Sequence, residues 1–167
     1  MQKTAEERMK MSIEKVRAYF AQFGMEERIL EFSVSSATVE LAAVAVGCEP
    51  QRIAKTLSFM VGEEPILIVA AGDAKIDNPK YKAQFHQKAK MLSFDQAAQL
   101  IGHAVGGVCP FAVNEGVTVY LDESLKRFET VFPACGSSNS AIELTIPELE
   151  QYSGFSAWID VCKLPVA

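Results

Sequence analysis

The sequence predicts an α+β domain in which a mixed, largely antiparallel sheet curls or closes into a barrel, with helices packed outside it. Three observations carry that expectation. Strand-like and helix-like stretches interleave along the chain without the regular alternation of βαβ units. Two β-rich runs, residues 56 to 61 and 65 to 71, flank the turn Gly62-Glu63-Glu64 and form a hairpin. The 167 residues are 49% hydrophobic with no repeat, low-complexity segment or linker, so residues 1–167 are expected to fold as one domain around one core.

Thr4 followed by Glu7 has capping-box spacing, and Met11, Val16, Tyr19, Phe20 and Phe23 recur at roughly helical intervals, which predicts a helix over about residues 5 to 23. An extended stretch around Ile29 to Phe32 follows. Ser35, Ser36 and Thr38 offer caps for a second helix, Val39 to Val46, closed by Gly47. Pro50 suits the first turn of a short helix through Ala54, after which Thr56 to Val61 reads as a strand. The continuous apolar run Ile66-Leu67-Ile68-Val69 predicts a central strand buried on both faces. Asn78-Pro79 breaks the polar stretch that begins at Asp73 and leaves a helix on Tyr81 to Lys88. Ser93 or Asp95 caps another, Gln96 to Ile101, which Gly102 ends. Short strands then follow at Val117 to Leu121, Thr130 to Phe132, Ala141 to Leu144 and Trp158 to Val161, with a helix near Pro147 to Tyr152.

No run of 18 or more apolar residues occurs, so the sequence predicts a soluble, cytoplasmic protein that neither enters nor spans a membrane. Cys48, Cys109, Cys135 and Cys162 lie far apart, with no C-x-x-C pair and no adjacent histidine, and read as reduced thiols rather than metal ligands or disulfides. The net charge of -5 argues against nucleic-acid binding by bulk electrostatics, since that affinity grows with the number of phosphates neutralised.

Common catalytic signatures are absent: there is no G-x-S-x-G, H-E-x-x-H, P-loop or G-x-G-x-x-G. Only His86 and His103 are available for a histidine-based site, and both read as surface residues. Lys55 stands between an apparent helix end and a strand, where it either points into a cleft or is a solvated lysine at a helix C-terminus. Gly106-Gly107-Val108-Cys109-Pro110-Phe111 either presents backbone amides to a carbonyl or phosphate or is an ordinary turn. Cys109 invites a nucleophile reading, yet spacing fixes no Cys-His partner, and a packed thiol is the alternative. The small polar stretch Ala134 to Ser140 can form an anion-binding nest or simply connect two strands. The pairs Glu26-Glu27, Glu63-Glu64 and Asp122-Glu123 read as turns and helix starts rather than catalytic carboxylates.

Taken in order, Ala54-Lys55-Thr56-Leu57, the 106 to 111 loop and Gly136-Ser137-Ser138-Asn139-Ser140-Ala141-Ile142-Glu143-Leu144 resemble the YbaK/ProX family, the superfamily of the prolyl-tRNA synthetase editing insertion. The resemblance runs from about Ser36 to Leu144 and includes the helix beginning Thr38-Val39-Glu40-Leu41. It implies the YbaK/ProRS-associated domain fold and a metal-independent, cofactor-free aminoacyl-tRNA deacylase that acts on mischarged tRNA at its 3′ end. By the same resemblance Lys55, Gly106, Gly107, Val108 and Pro110 are the catalytic positions, with Lys55 holding the terminal ribose and phosphate and the loop amides facing the ester carbonyl. Thr56, Cys109, Phe111, Gly136, Ser137, Ser138 and Asn139 are the implied substrate contacts. The substrate's own ribose hydroxyl assists the attacking water, which would account for the absent triad. Reading only the 3′ end needs few phosphate contacts, which reconciles the acidic composition with a tRNA partner; a synthetase is a second implied partner, DNA and membranes are not. Some alanine-specific relatives carry histidine where this chain has Ser137 to Asn139, so amino-acid specificity does not transfer. Two other readings of the same residues are a non-catalytic module binding an amino acid or aminoacyl-tRNA, and a hydrolase dependent on Cys109.

Overall fold

A computed structural model describes residues 3–104 and 106–165. In chain order its elements are α1 (Ala5–Ala21), β1 (Ile29–Glu31), α2 (Val39–Val46), β2 (Ile53–Val61), β3 (Glu64–Ala71), β4 (Lys75–Ile76), α3 (Asn78–Phe85), α4 (Phe94–Gln96), β5 (Thr118–Asp122), β6 (Thr130–Pro133), β7 (Ser140–Ile142), β8 (Leu144–Thr145), α5 (Ile146–Ser153), β9 (Ala157–Ile159) and β10 (Cys162–Lys163). Short 3-10 turns at Glu26–Arg28, Pro50–Arg52 and Glu123–Arg127 join some of them, and α4 runs on as a π-helical turn over Ala97–Ile101.

Six strands form a curled sheet in the order β8-β6-β2-β3-β5-β9. The β2–β3 hairpin is its longest ladder, pairing Ala54 with Ala71 through Val61 with Glu64 around the Gly62-Glu63 turn. Gly62 takes a positive φ of 61° there, a conformation that suits glycine. Parallel pairings attach β6 to β2, β5 to β3 and β9 to β5, and β8 closes antiparallel on β6. Two-stranded antiparallel ladders, β1 with β7 and β10 with β4, flank the main sheet. The sheet is therefore mixed, with antiparallel pairing in four of the seven ladders among the described residues.

The core is centred on β3. Ile66 to Ala71 are no more than 2% exposed, because β3 lies inside the sheet and is covered on both faces, as its unbroken apolar run predicts. Burying each of the larger aliphatic side chains there contributes about 1.5–3 kcal/mol. Val16 and Phe20 of α1 enter the same cluster, and Phe20 packs edge-on against Phe111 with ring centroids 4.8 Å apart. Thr4 and Glu7 form the expected capping box, each side chain bonding the other's backbone amide at 3.1 Å. Thr145 and Glu148 cap α5 the same way, while Arg28 grips the Glu148 carboxylate at 2.7 Å and holds its pKa down to about 2.

Three local expectations are corrected. The helical turn at Pro50 stops at Arg52, because Ile53 and Ala54 pair with Phe132 and Pro133 and so begin β2 early; Lys55 is a strand residue, not a helix-end residue. Pro79 starts α3 instead of breaking it: Asp77 caps the helix by accepting from Lys80 N at 3.2 Å, and proline in the first turn gives up no helical bond. The helix then ends at Phe85, where His86 adopts the left-handed conformation at φ 62°. Of the two caps offered for the next helix, Ser93 serves, in a capping box with Gln96. Among the described residues no helix is long and apolar enough to cross a membrane.

Gly72, just after β3, packs against the Pro50 turn and the start of α2. A Cβ there would collide with the Pro50 carbonyl oxygen and stand 2.7 Å from Val39 Cγ1. Gly72→Ala is expected to lower unfolding stability by about 1–3 kcal/mol through this overpacking, read as a lower urea midpoint at unchanged slope. An unaltered midpoint would show that the backbone yields freely and that the contact is not tight.

Candidate active site

Strand β2 places Lys55 opposite Ala70, with its amine folded over the turn that follows β3. There Lys55 Nζ donates to the Ala74 carbonyl and, at 3.4 Å, to the Gly72 carbonyl. An ammonium has three hydrogens, so one donor is left over. Burial lowers the amine below the ordinary lysine value, an effect that nearby Asp73 opposes. Asp73 is itself held by Arg127, with contacts of 2.6 and 3.1 Å, and does not pair directly with Lys55.

Lys55 lines a cavity of about 240 Å³. One wall is β2 from Ile53 to Ser58; a second is Ser36 to Val39 with Ala42, at the start of α2; a third contains Gly106 and Val108; Phe132, Ala134, Ser140 and Ala141 complete it, and Met91 and Phe94 stand at the rim. Thr38 caps α2 by accepting from Leu41 N at 3.1 Å, so the partial positive charge of the helix N-terminus faces this space together with Lys55. Thr56 Oγ1 is buried at the wall without a hydrogen-bond partner among the described residues. An unpaired buried hydroxyl costs about 1–3 kcal/mol; the Tyr81 and Ser153 hydroxyls, away from this cavity, are unpaired among the described residues too.

The glycine-rich loop reaches the cavity through Gly106 and Val108, whose amides have no acceptor among the described residues. Gly106 has a φ of 96°, open to glycine and strained for other residues. Gly107 instead donates its amide to the Ala104 carbonyl at 3.0 Å and packs so tightly that a Cβ would lie 2.5 Å from Gly136 C. Pro110, Cys109 and Phe111 are buried in the core behind the loop.

The 136 to 139 segment forms the scaffold of the site. Gly136, at φ 93°, lies against α1, where a Cβ would meet Ser12 O at 2.8 Å. The Ser138 carbonyl accepts from Ser36 N at 2.6 Å, and Asn139 exchanges bonds with the Phe32 backbone at 2.8 and 3.0 Å. Ser137 Oγ sits 2.7 Å from Ser140 Oγ. These bonds hold the Ser36 to Thr38 wall in place.

His103, read from sequence as a surface residue, is 1% exposed; a residue beside a turn escapes solvent here because α1 covers it. Its Nε2 lies 2.7 Å from the Phe111 carbonyl, which can only accept, so the proton sits on Nε2 and Nδ1 accepts from the Ser12 hydroxyl. His86, by contrast, is exposed. Cys109 Sγ is 3.6 Å from His103 Nε2, a proximity that no sequence spacing signals. It is no nucleophile pair: the nearer ring nitrogen already carries a proton, and burial pushes the thiol up to about 12. All four cysteines are free thiols. The structure adds Ser36, Thr38, Met91 and Phe94 to the site, all from segments that read as caps or connections in sequence.

The family described as "Aminoacyl-tRNA editing domain" matches residues 34–152. The protein YwhH of Bacillus subtilis (strain 168), itself uncharacterized, is 56% identical over 154 residues, 92% of this chain and 98% of that protein. The proline–tRNA ligase of Streptococcus sanguinis (strain SK36) is 28% identical over 106 residues, 60% of this chain but only 17% of the ligase. A crystal structure described as a candidate trans-editing enzyme for prolyl-tRNA synthetase superposes with a TM-score of 0.81 at 27% identity, covering 91% of this chain and 97% of that one.

Burial lowers the His103 pKa to about 4, so the folded protein refuses a proton that the unfolded chain accepts near pH 6.5. Stability should therefore be full above about pH 6.5 and fall as pH drops toward 4, by up to roughly 3 kcal/mol from this group. His103→Gln, which cannot titrate, is expected to flatten the fall in urea midpoint between about pH 6.5 and 5, a window in which ordinary carboxylates barely titrate. Equal slopes in both proteins would mean that the imidazole is not held neutral.

Proposed function

Because this chain belongs to the aminoacyl-tRNA editing domain family, we propose that it is a cytoplasmic trans-editing deacylase: it hydrolyses the ester linking a wrong amino acid to the 3′ end of tRNA. The observation that carries this reading is the single cavity lined by Lys55, Thr56, Gly106 and Val108, the last two with amides that have no acceptor among the described residues.

In this reading the aminoacyl ester enters the cavity with its carbonyl oxygen toward Gly106 and Val108. Water adds to the carbonyl carbon, its proton leaving with assistance from the substrate's neighbouring ribose hydroxyl, and negative charge develops on the carbonyl oxygen. Fixed amides stabilise that charge without reorganising, and removal of one such donor costs about 100- to 1,000-fold in rate. The ester bond then breaks, releasing the free amino acid and a tRNA with a free terminal hydroxyl. Lys55, pinned by two carbonyls, binds the terminal phosphate or ribose with its remaining hydrogen. Phe94, 75% exposed beside Met91, offers a face on which the terminal base stacks. A space of about 240 Å³ walled by Ala54, Ala134 and Ala141 suits a small aminoacyl group. Gly107, Gly136 and Ser137 to Asn139 act by holding these walls, and Cys109 by packing beneath the loop. The solved neighbour's description as a candidate trans-editing enzyme supports action on free aminoacyl-tRNA, with a synthetase as a second partner.

Purified protein is expected to deacylate at least one tRNA in a panel charged with alanine, serine, cysteine, threonine or proline. Lys55→Ala should slow that reaction about 10- to 100-fold while keeping its thermal melt, as expected for loss of a charged hydrogen bond. No release from any charged tRNA would favour the non-catalytic binding module instead. Cys109→Ala should remain active within a few fold, whereas an inactive but folded Cys109→Ala would revive the cysteine-dependent reading.

A further inference from the structure

A second cavity, of about 380 Å³, opens between α1 and the π-helical turn. Lys3, Arg8 and Lys15 line it, against a single lining carboxylate, Asp95. None of the three cations forms an ion pair among the described residues. Lys15 Nζ donates to the Gly102 carbonyl at 2.9 Å, which fixes the ammonium at the wall with two hydrogens to spare. In a chain of net charge -5, this is a local excess of positive charge around a concavity, carried by three exposed side chains that a phosphate can reach.

The two cavities share one loop. Gly102, His103 and Ala104 line the second, and Gly106 lines the first. Ala104 and Gly106 are two residues apart, at most about 7 Å along the chain. A strand whose terminal ester occupies the first cavity therefore brings its preceding phosphodiesters within reach of the second. Ser12 and His103 line the second cavity as well and tie α1 to the Phe111 carbonyl, so the helix that carries Arg8 and Lys15 is anchored to the loop that carries Gly106.

We propose that the cavity lined by Lys3, Arg8 and Lys15 binds backbone phosphates of the tRNA acceptor strand just before its terminal nucleotide, making α1 a tRNA-reading element. This rests on the deacylase reading for the choice of nucleic acid. It accounts for three unpaired cations facing one cavity, and it limits phosphate recognition to a few contacts, as an acidic protein requires.

The test is binding of an uncharged RNA minihelix ending in CCA, followed by fluorescence anisotropy from about 50 to 200 mM salt, a range over which phosphate contacts separate clearly. Lys3→Gln/Arg8→Gln should weaken binding about tenfold at the low-salt end and reduce the slope of log K against log salt by roughly 1.5, because two fewer phosphates are neutralised. Lys82→Gln/Lys88→Gln removes the same charge from exposed positions around α3 and should change neither. The proposal is overturned if the first variant, with a native thermal melt, binds like the parent, if both variants lose affinity equally, or if the parent does not bind the minihelix. Since no ester is present, the deacylase reading is judged separately: charge-dependent binding without hydrolysis of any charged tRNA would sink that reading and leave this one standing, and hydrolysis with charge-indifferent binding would do the reverse.

Discussion

Register in the β2–β3 ladder governs where the chemistry of this protein can be. Because successive strand residues point to opposite faces, a slip of one position would carry Lys55 to the other side of the sheet. The register is held along the whole β2–β3 ladder, from Ala54 opposite Ala71 to Val61 opposite Glu64, and Ile66 to Ala71 are almost wholly inaccessible. Parallel pairing of Ile53 and Ala54 with β6 pins the other edge of β2. Lys55 thus inherits its position from the pairing of β2 with a strand on each side.

Around that hairpin, glycines allow backbones to approach where side chains would separate them. Gly107 lies on Gly136, and Gly136 lies on Ser12 of α1, so three distant segments stack with almost no intervening atoms. The Ser12–His103–Phe111 chain of hydrogen bonds runs across the same stack. The result is a loop braced from behind, with Gly106 and Val108 lining the cavity. Preorganised donors of this kind are useful in ester chemistry because they need not move as charge develops. Helix α1, which lies before the stretch matched by the family, belongs to that brace.

Charge follows the same economy. The chain is acidic overall, yet four of its 16 lysines and arginines line the two cavities: Lys55 with the α2 N-terminus at one, and Lys3, Arg8 and Lys15 at the other. A composition-wide net charge averages over this arrangement. It describes how the protein repels nucleic acid at long range and says little about the field inside a cavity.

By itself the sequence determined the elements that rest on local chemistry. Capping at Thr4, the Gly47 stop, the hairpin turn at Gly62 and the buried run of β3 all depend on residues a few positions apart, and so they are legible without the fold, whereas the choice of Thr38 over Ser35 and Ser36, and of Ser93 over Asp95, was not. The motifs around Lys55, Gly106 and Gly136 were likewise legible through their family likeness. Tertiary structure alone decided what those residues touch. Lys55 became a strand residue because β6 pairs with Ile53 and Ala54; His103 became a buried brace because α1 lies over it; Gly107 and Gly136 proved to support the walls while Gly106 and Val108 open onto the cavity. Each of these depends on contacts between segments tens of residues apart, where burial and pairing outweigh local propensity, and a linear pattern carries no record of such contacts.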